Sequence, residues 1–204
     1  AFVFGKNKTE APQEISDNAV SSSFTLTDGS YKVDTEASVI RWKGEFVTGN
    51  SENGTVLLKS STAKVLGGMV VSGSFAIDMN TIKDSGNKEI LEDHLKSADF
   101  FDVSKHGEST FSIKSVVPSS AEGAKVGRYL VTGDLTVKGI TKTISFPATI
   151  TMIGDGSIRA ESSFAVNRAD WEIKYNSASF FSNLGDKVIR DAGEIGLDIR
   201  AVKE

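Results

Sequence analysis

From Tyr31 onward apolar and polar residues alternate with a period of two, the signature of half-buried strands. Ile40, Trp42, Gly44 and Phe46 share one face, opposed by Val39, Arg41, Lys43 and Glu45. The pattern returns with Val71, Gly73, Phe75, Ile77 and Met79, then with Phe111 and Ile113. It continues through Tyr129, Val131, Gly133, Leu135 and Val137, and through Ile144, Phe146, Ala148, Ile150 and Met152. Ile158, Ala160, Ser162 and Phe164 follow, and Ile195, Leu197, Ile199 and Ala201 close the chain. Asn53-Gly54, Lys138-Gly139 and Asp155-Gly156 read as tight turns between such runs. Short turns join neighbours antiparallel. Long strands with one apolar face throughout predict an all-β, lipocalin-like closed antiparallel barrel of about eight strands, with a two-sheet sandwich as the other arrangement.

Two segments break the alternation. Residues 87–97 (NKEILEDHLKS) set Ile90, Leu91 and Leu95 at helical spacing among charges, which predicts one amphipathic helix. Residues 176–191, which include the adjacent pair Phe180-Phe181, predict a short helical or irregular connection. Upstream, residues 1–29 are largely polar, Ser-rich and aperiodic, the composition of a flexible tail, leaving residues 30–204 as the folded domain. Beginning at Ala1 rather than Met, the chain reads as a product of processing or trimming.

Composition narrows the function. A net charge of −4 gives no basic face for nucleic acid. No window approaches the ~20 apolar residues of a transmembrane helix. With no cysteine, disulfides, thiol catalysis and cysteine-based zinc sites are excluded. Both histidines fall in residues 93–111, DHLKSADFFDVSKHGESTF, beside Asp93, Asp99, Asp102 and the pair Phe100-Phe101. The acids and histidines have no spacing that matches a metal site or a catalytic triad, so His94 reads as packed at a helix end and His106 as solvated. A hydrolase or isomerase built on Asp93/His94 or Arg168/Asp170 is the weakest reading, and no cofactor is expected.

An apolar barrel interior is either filled by side chains or holds one ligand. Gly44, Gly73, Gly133, Ala148, Ala160 and Ser162 among inward phenylalanines suggest unfilled room, but periodicity leaves both outcomes open.

Several ordered motifs resemble one family. GDLTVKGITKTISFPATI (133–150), YKVDTEASVIRWKG (31–44), DHLKSADFFDVSKHGESTFSI (93–113) and NRADWEI (167–173) are similar to the hallmark segments of the YceI-like family, across roughly residues 31–203. The chain departs from that pattern at Glu92-Asp93, where the family often has Arg-Asp, and at His106-Gly107, where it usually has Tyr-Pro. The resemblance implies an extended lipocalin-like barrel partly covered by a helix, export to the periplasm or cell surface (with a membrane anchor in the precursor left open), and no catalytic residues. It also implies that the barrel holds a polyisoprenoid, an isoprenoid quinone or a fatty-acid-like amphiphilic lipid. On that reading the ligand wall comprises Trp42, Phe46, Phe75, Ile77, Leu91, Leu95, Phe100, Phe101, Phe111, Ile113, Phe146, Phe164 and Trp171. Arg168 is a candidate polar contact, or else an ion pair with Asp170 that pins the turn at 167–171. The alternative is a stress-response or interaction module with a filled barrel; a homodimer is compatible with either.

Overall fold

The computed structural model describes residues 25–119 and 127–204; of the segment read as a tail, residues 1–24 lie outside the described residues. Nine strands form the scaffold: β1 (Gly29–Val33), β2 (Val39–Glu45), β3 (Ser51–Leu66), β4 (Met69–Asp84), β5 (Glu108–Pro118), β6 (Arg128–Val137), β7 (Ile140–Met152), β8 (Ile158–Asn167) and β9 (Ala192–Lys203). All their pairings are antiparallel, and β3 and β4 each run 16 residues. β1 and β2 occupy one slot: both lie between β3 and β9, β1 against Thr62–Val65 and β2 against Ser51–Val56. The sheet therefore closes through β3–β4 as a barrel of eight staves. Closure removes the exposed edges that an open antiparallel sheet would carry.

The connections give the barrel two unlike ends. At one lie the β3–β4 and β7–β8 hairpins and the start of β1; at the other lie the β2–β3 and β6–β7 hairpins, α1 (Glu89–Lys96), and a 3₁₀ turn at Arg168–Trp171 followed by the connection to β9. The first end is closed by Tyr31 and Val65, which are buried and lie outside the cavity lining, with Val70, Val131, Ile150 and Ile158 buried on the same side of the core and facing the cavity. Tyr31 is fully covered, and its hydroxyl donates to the Thr27 carbonyl at 2.7 Å. Leu26, just upstream of β1, is buried beside the β3–β4 turn, its N–H bonded to the Gly68 carbonyl.

The second end is covered by α1. Asp84, at the end of β4, accepts the Lys88 N–H at 3.1 Å, while Glu92 accepts the Asp84 N–H at 3.1 Å. The two bonds tie the start of the helix to the end of the strand. Lys83 adds a charged contact to Glu92 at 2.7 Å. Both interactions hold the Glu92 carboxyl below its ordinary pKa, the lysine being the larger cause.

Four features differ from the sequence reading. Val71 is exposed and Val70 points inward, because the β3–β4 ladder shifts register between Lys64 and Val65, leaving Val71 as the extra residue of a bulge. Asn53-Gly54 is not a turn but lies inside β3; the chain turns instead around Thr48-Gly49. Gly54 is needed in the strand because a Cβ there would collide with the Trp42 ring and the Lys83 carbonyl. Ile90 stands in solvent at 88 % exposure, since the covered face of α1 is the i, i+4 pair Leu91 and Leu95. Arg168 pairs with Asp191, at 3.3 Å, and not with Asp170, which is exposed.

Candidate functional site

The barrel encloses a cavity of about 350 Å³. This falls within the ~300–1,000 Å³ usual for small-molecule sites. Its wall is almost entirely hydrocarbon, drawn from every stave and from α1. The reason is the alternation itself: each strand sends every second side chain inward, and those positions carry Val, Ile, Leu, Phe and Trp.

A belt of phenylalanines crosses the interior. Phe75 and Phe111 lie 6.2 Å apart, Phe111 and Phe146 5.6 Å, and Phe146 stacks on Phe164 at 4.2 Å with the rings nearly parallel. Phe111 reaches across β6 to Phe146 because Gly133 lies between them; a Cβ on Gly133 would sit 2.4 Å from the Phe111 ring. So the inward glycines do not all open space, contrary to the simplest reading of their size. Gly133 and Gly54 make room for a neighbouring ring. Gly44 differs: a Cβ there would meet nothing within 4 Å.

Gly44 closes the inward row of β2, one step beyond the last β2–β9 pair, Lys43 with Glu194, and Gly193 occupies the matching step on β9. Both glycines line the cavity. Two adjacent inward positions without side chains leave a notch in the rim at the helix end. Arg190 flanks it, its N–H bonded to the Glu45 carbonyl at 2.8 Å and its Nε 3.2 Å from the Glu45 carboxylate.

The rest of that end is closed by aromatic and backbone contacts. His94 meets Phe100 and Tyr175 edge-on, at 5.1 and 4.5 Å, and its Nε2 lies 3.3 Å from Asp99, not Asp93. Trp171 turns inward and donates its indole N–H to the Leu135 carbonyl at 3.2 Å. Arg168 locks the connection in place. Its guanidinium donates to the carbonyls of Ile173 and Tyr175 at 2.9 Å, Ile189 at 3.0 Å and Arg190 at 3.3 Å. Burial pushes its pKa down and the nearby Asp191 opposes that shift. Four carbonyls and a carboxylate account for the guanidinium, which makes Arg168 an organiser of residues 173–191. Among the described residues, no group of three or more His, Asp or Glu side chains could hold a metal ion.

Of the residues anticipated as ligand wall, Trp42, Phe75, Ile77, Leu95, Phe100, Phe101, Phe111, Ile113, Phe146, Phe164, Arg168 and Trp171 line the cavity. Phe46 and Leu91 do not. Phe46 follows the last residue of β2, where the chain leaves the barrel and bridges to Ile189. Leu91 packs against the core one helical turn before Leu95. Sequence reasoning missed Ser109, Ile173, Ile189 and Gly193. Ser109 could have been found by extending the alternation of Phe111 and Ile113 back by two; Ile173 and Ile189 lie in irregular backbone that carries no period.

The YceI-like domain profile matches residues 31–201. The chain belongs to the YceI-like family. A UPF0312 protein of Ectopseudomonas mendocina is 40% identical over 81 residues, covering 40% of this chain and 39% of that protein. One from Vibrio campbellii is 30% identical over 130 residues, covering 55% of this chain and 66% of that protein. The matched stretches thus span from about two fifths to about two thirds of these relatives. Among solved structures, BcnA of Burkholderia cenocepacia superposes with a TM-score of 0.68 at 19% identity, covering 83% of this chain and 99% of that one. A polyisoprenoid binding domain from Saccharophagus degradans superposes with a TM-score of 0.67 at 14% identity, covering 85% and 98%. These structures share the fold of this YceI-like barrel. No helix among the described residues is long and apolar enough to cross a membrane.

Proposed function

We propose that this YceI-like barrel binds a long apolar or amphiphilic lipid in its interior, as a carrier or store and not as an enzyme. The observation that carries the reading is the 350 Å³ cavity with its hydrocarbon wall. Shielding such a wall, and an equally apolar chain, from water is favourable by ~25 cal/mol per Å². Several side chains contacting one isoprenoid or fatty chain offset the cost of ordering it. The polyisoprenoid-binding neighbour supports the same class of ligand. The filled-barrel alternative is disfavoured by the same cavity. Loading proceeds through the notch at Gly44 and Gly193, the stretch of rim without side chains. Export to the periplasm or cell surface and a role in transport belong to this reading, since carrying a lipid through water is what an enclosed apolar cavity accomplishes.

The test is native mass spectrometry of the purified protein, followed by denaturation and solvent extraction. A released long-chain lipid, lost in Phe111→Arg or Phe164→Arg, supports binding inside the barrel. A wild-type protein that takes up no lipid after incubation with isoprenoid quinones and fatty acids refutes it.

A further inference from the structure

Two polar atoms in the cavity wall have no hydrogen-bond partner among the described residues. Ser109 lies two residues before Phe111 on the inward face of β5 and is only 2 % exposed, yet its hydroxyl makes no hydrogen bond. Trp42 lies over Gly54 on the inward face of β2, and its buried indole N–H is likewise unpaired. Elsewhere on the wall the protein satisfies such groups itself. Trp171 donates to the Leu135 carbonyl, Ser162 to the Pro147 carbonyl, and Arg168 to four carbonyls.

An unmade hydrogen bond of this kind costs ~1–3 kcal/mol, and folded proteins keep few of them. A hydrocarbon occupant would leave both groups unpaired. The indole N–H can only donate, and the serine hydroxyl can donate or accept, so an acceptor is the one kind of group that can satisfy either of them. A full negative charge in this hydrocarbon wall would be penalised by desolvation, and the lining cations Lys43, Arg168 and Arg190 each already lie beside a carboxylate, which favours a neutral acceptor.

We propose that the cavity selects lipids bearing a neutral hydrogen-bond-accepting oxygen, such as a ketone or ester carbonyl, over pure hydrocarbons of the same shape, through Ser109 Oγ and Trp42 Nε1. This rests on the lipid-binding function proposed above and specifies the chemistry of the ligand.

A matched pair of probes tests it. Pristane and hexahydrofarnesyl acetone share one branched skeleton, a methyl branch of the first being a carbonyl oxygen in the second. The full chain is incubated with phosphatidylcholine vesicles holding equal amounts of both, separated from them, and extracted; each probe is then measured by gas chromatography. The ketone should be enriched on the protein relative to the vesicles. That enrichment ratio should fall roughly three- to tenfold in Ser109→Ala, and again in Trp42→Phe, as expected for one neutral hydrogen bond each. A merely structural role for either residue would change retention of both probes together and leave the ratio alone. Equal retention of the probes, or a ratio unchanged in Ser109→Ala, overturns the inference and assigns these groups to bound water. Retention of neither probe refutes the lipid-binding function itself.

Discussion

The two ends of the barrel follow the same alternation and arrive at opposite results. At the β3–β4 end the inward residues are mainly Val, Ile and Ala, with one Tyr, and nearly all are buried; Tyr31 and Val65 lie outside the cavity lining, while Val70, Val131, Ile150 and Ile158 form the part of it nearest this end. Phe75, Phe111 and Phe164, nearer the helix end, also point inward, yet each remains only partly buried because it faces the cavity. Partly buried aromatic side chains thus mark the more open part of the barrel, and buried medium ones the more closely packed part. Aromatic rings lie along the wall and over glycines, as Phe111 lies on Gly133, while Tyr31, Val33 and Leu26 close the other end with a piece of chain that precedes the main staves. Packing at the more closely packed end provides stability; the hollow end gives some of it up to the cavity.

Substitutions should separate the two ends. Tyr31→Ala removes a fully covered ring at the solid end and should cost ~3–5 kcal/mol in urea unfolding. Arg168→Met should cost somewhat less, ~2–4 kcal/mol, by leaving Asp191 without its cation and several carbonyls unpaired. Because Arg168 organises the cap, that loss should come with raised hydrogen exchange in residues 173–191. Phe164→Ala, on the cavity wall, should cost only ~1–2 kcal/mol, because one side of that ring already faces empty space. A cost equal to that of Tyr31→Ala would mean that the two ends are equally solid.

Gly44→Phe should leave stability within ~0.5 kcal/mol and slow lipid uptake on the order of tenfold, measured by stopped-flow fluorescence. Unchanged uptake would place the access route elsewhere. The smallest effect concerns the lid. Glu92 has a folded-state pKa held below its ordinary value near 4.5, so its stabilisation is complete above that value and is lost as pH falls through the lower folded value. The stability gap between wild type and Glu92→Gln should therefore be constant from pH 7 to about pH 5 and close on further acidification.

Much of this was legible in the chain. Inward positions recur at every second residue, so Trp42, Phe75, Phe111, Phe146 and Phe164 could be assigned to one surface before any pairing was known. The helix was legible from Leu91 and Leu95 among charges, although Ile90, which sits 100° from Leu91, could not be separated from them by hydropathy. Val71 was misplaced because a bulge shifts the count by one without altering composition. Arg168 was matched to the nearest acid in sequence, whereas its partner Asp191 is brought to it by the turn between β8 and β9.

The amino-acid sequence by itself determined the antiparallel β architecture and narrowed it to a barrel or a sandwich, because period-two burial and short turns between long strands leave few other ways to hide one apolar face. It also determined the apolar character of the interior. Only the tertiary structure decided that this interior is hollow, where its rim opens, and which polar atoms are left facing it. Those properties depend on how rings from different strands tilt over glycines and on which donors find a carbonyl nearby. Both are set by distances between residues far apart in the chain.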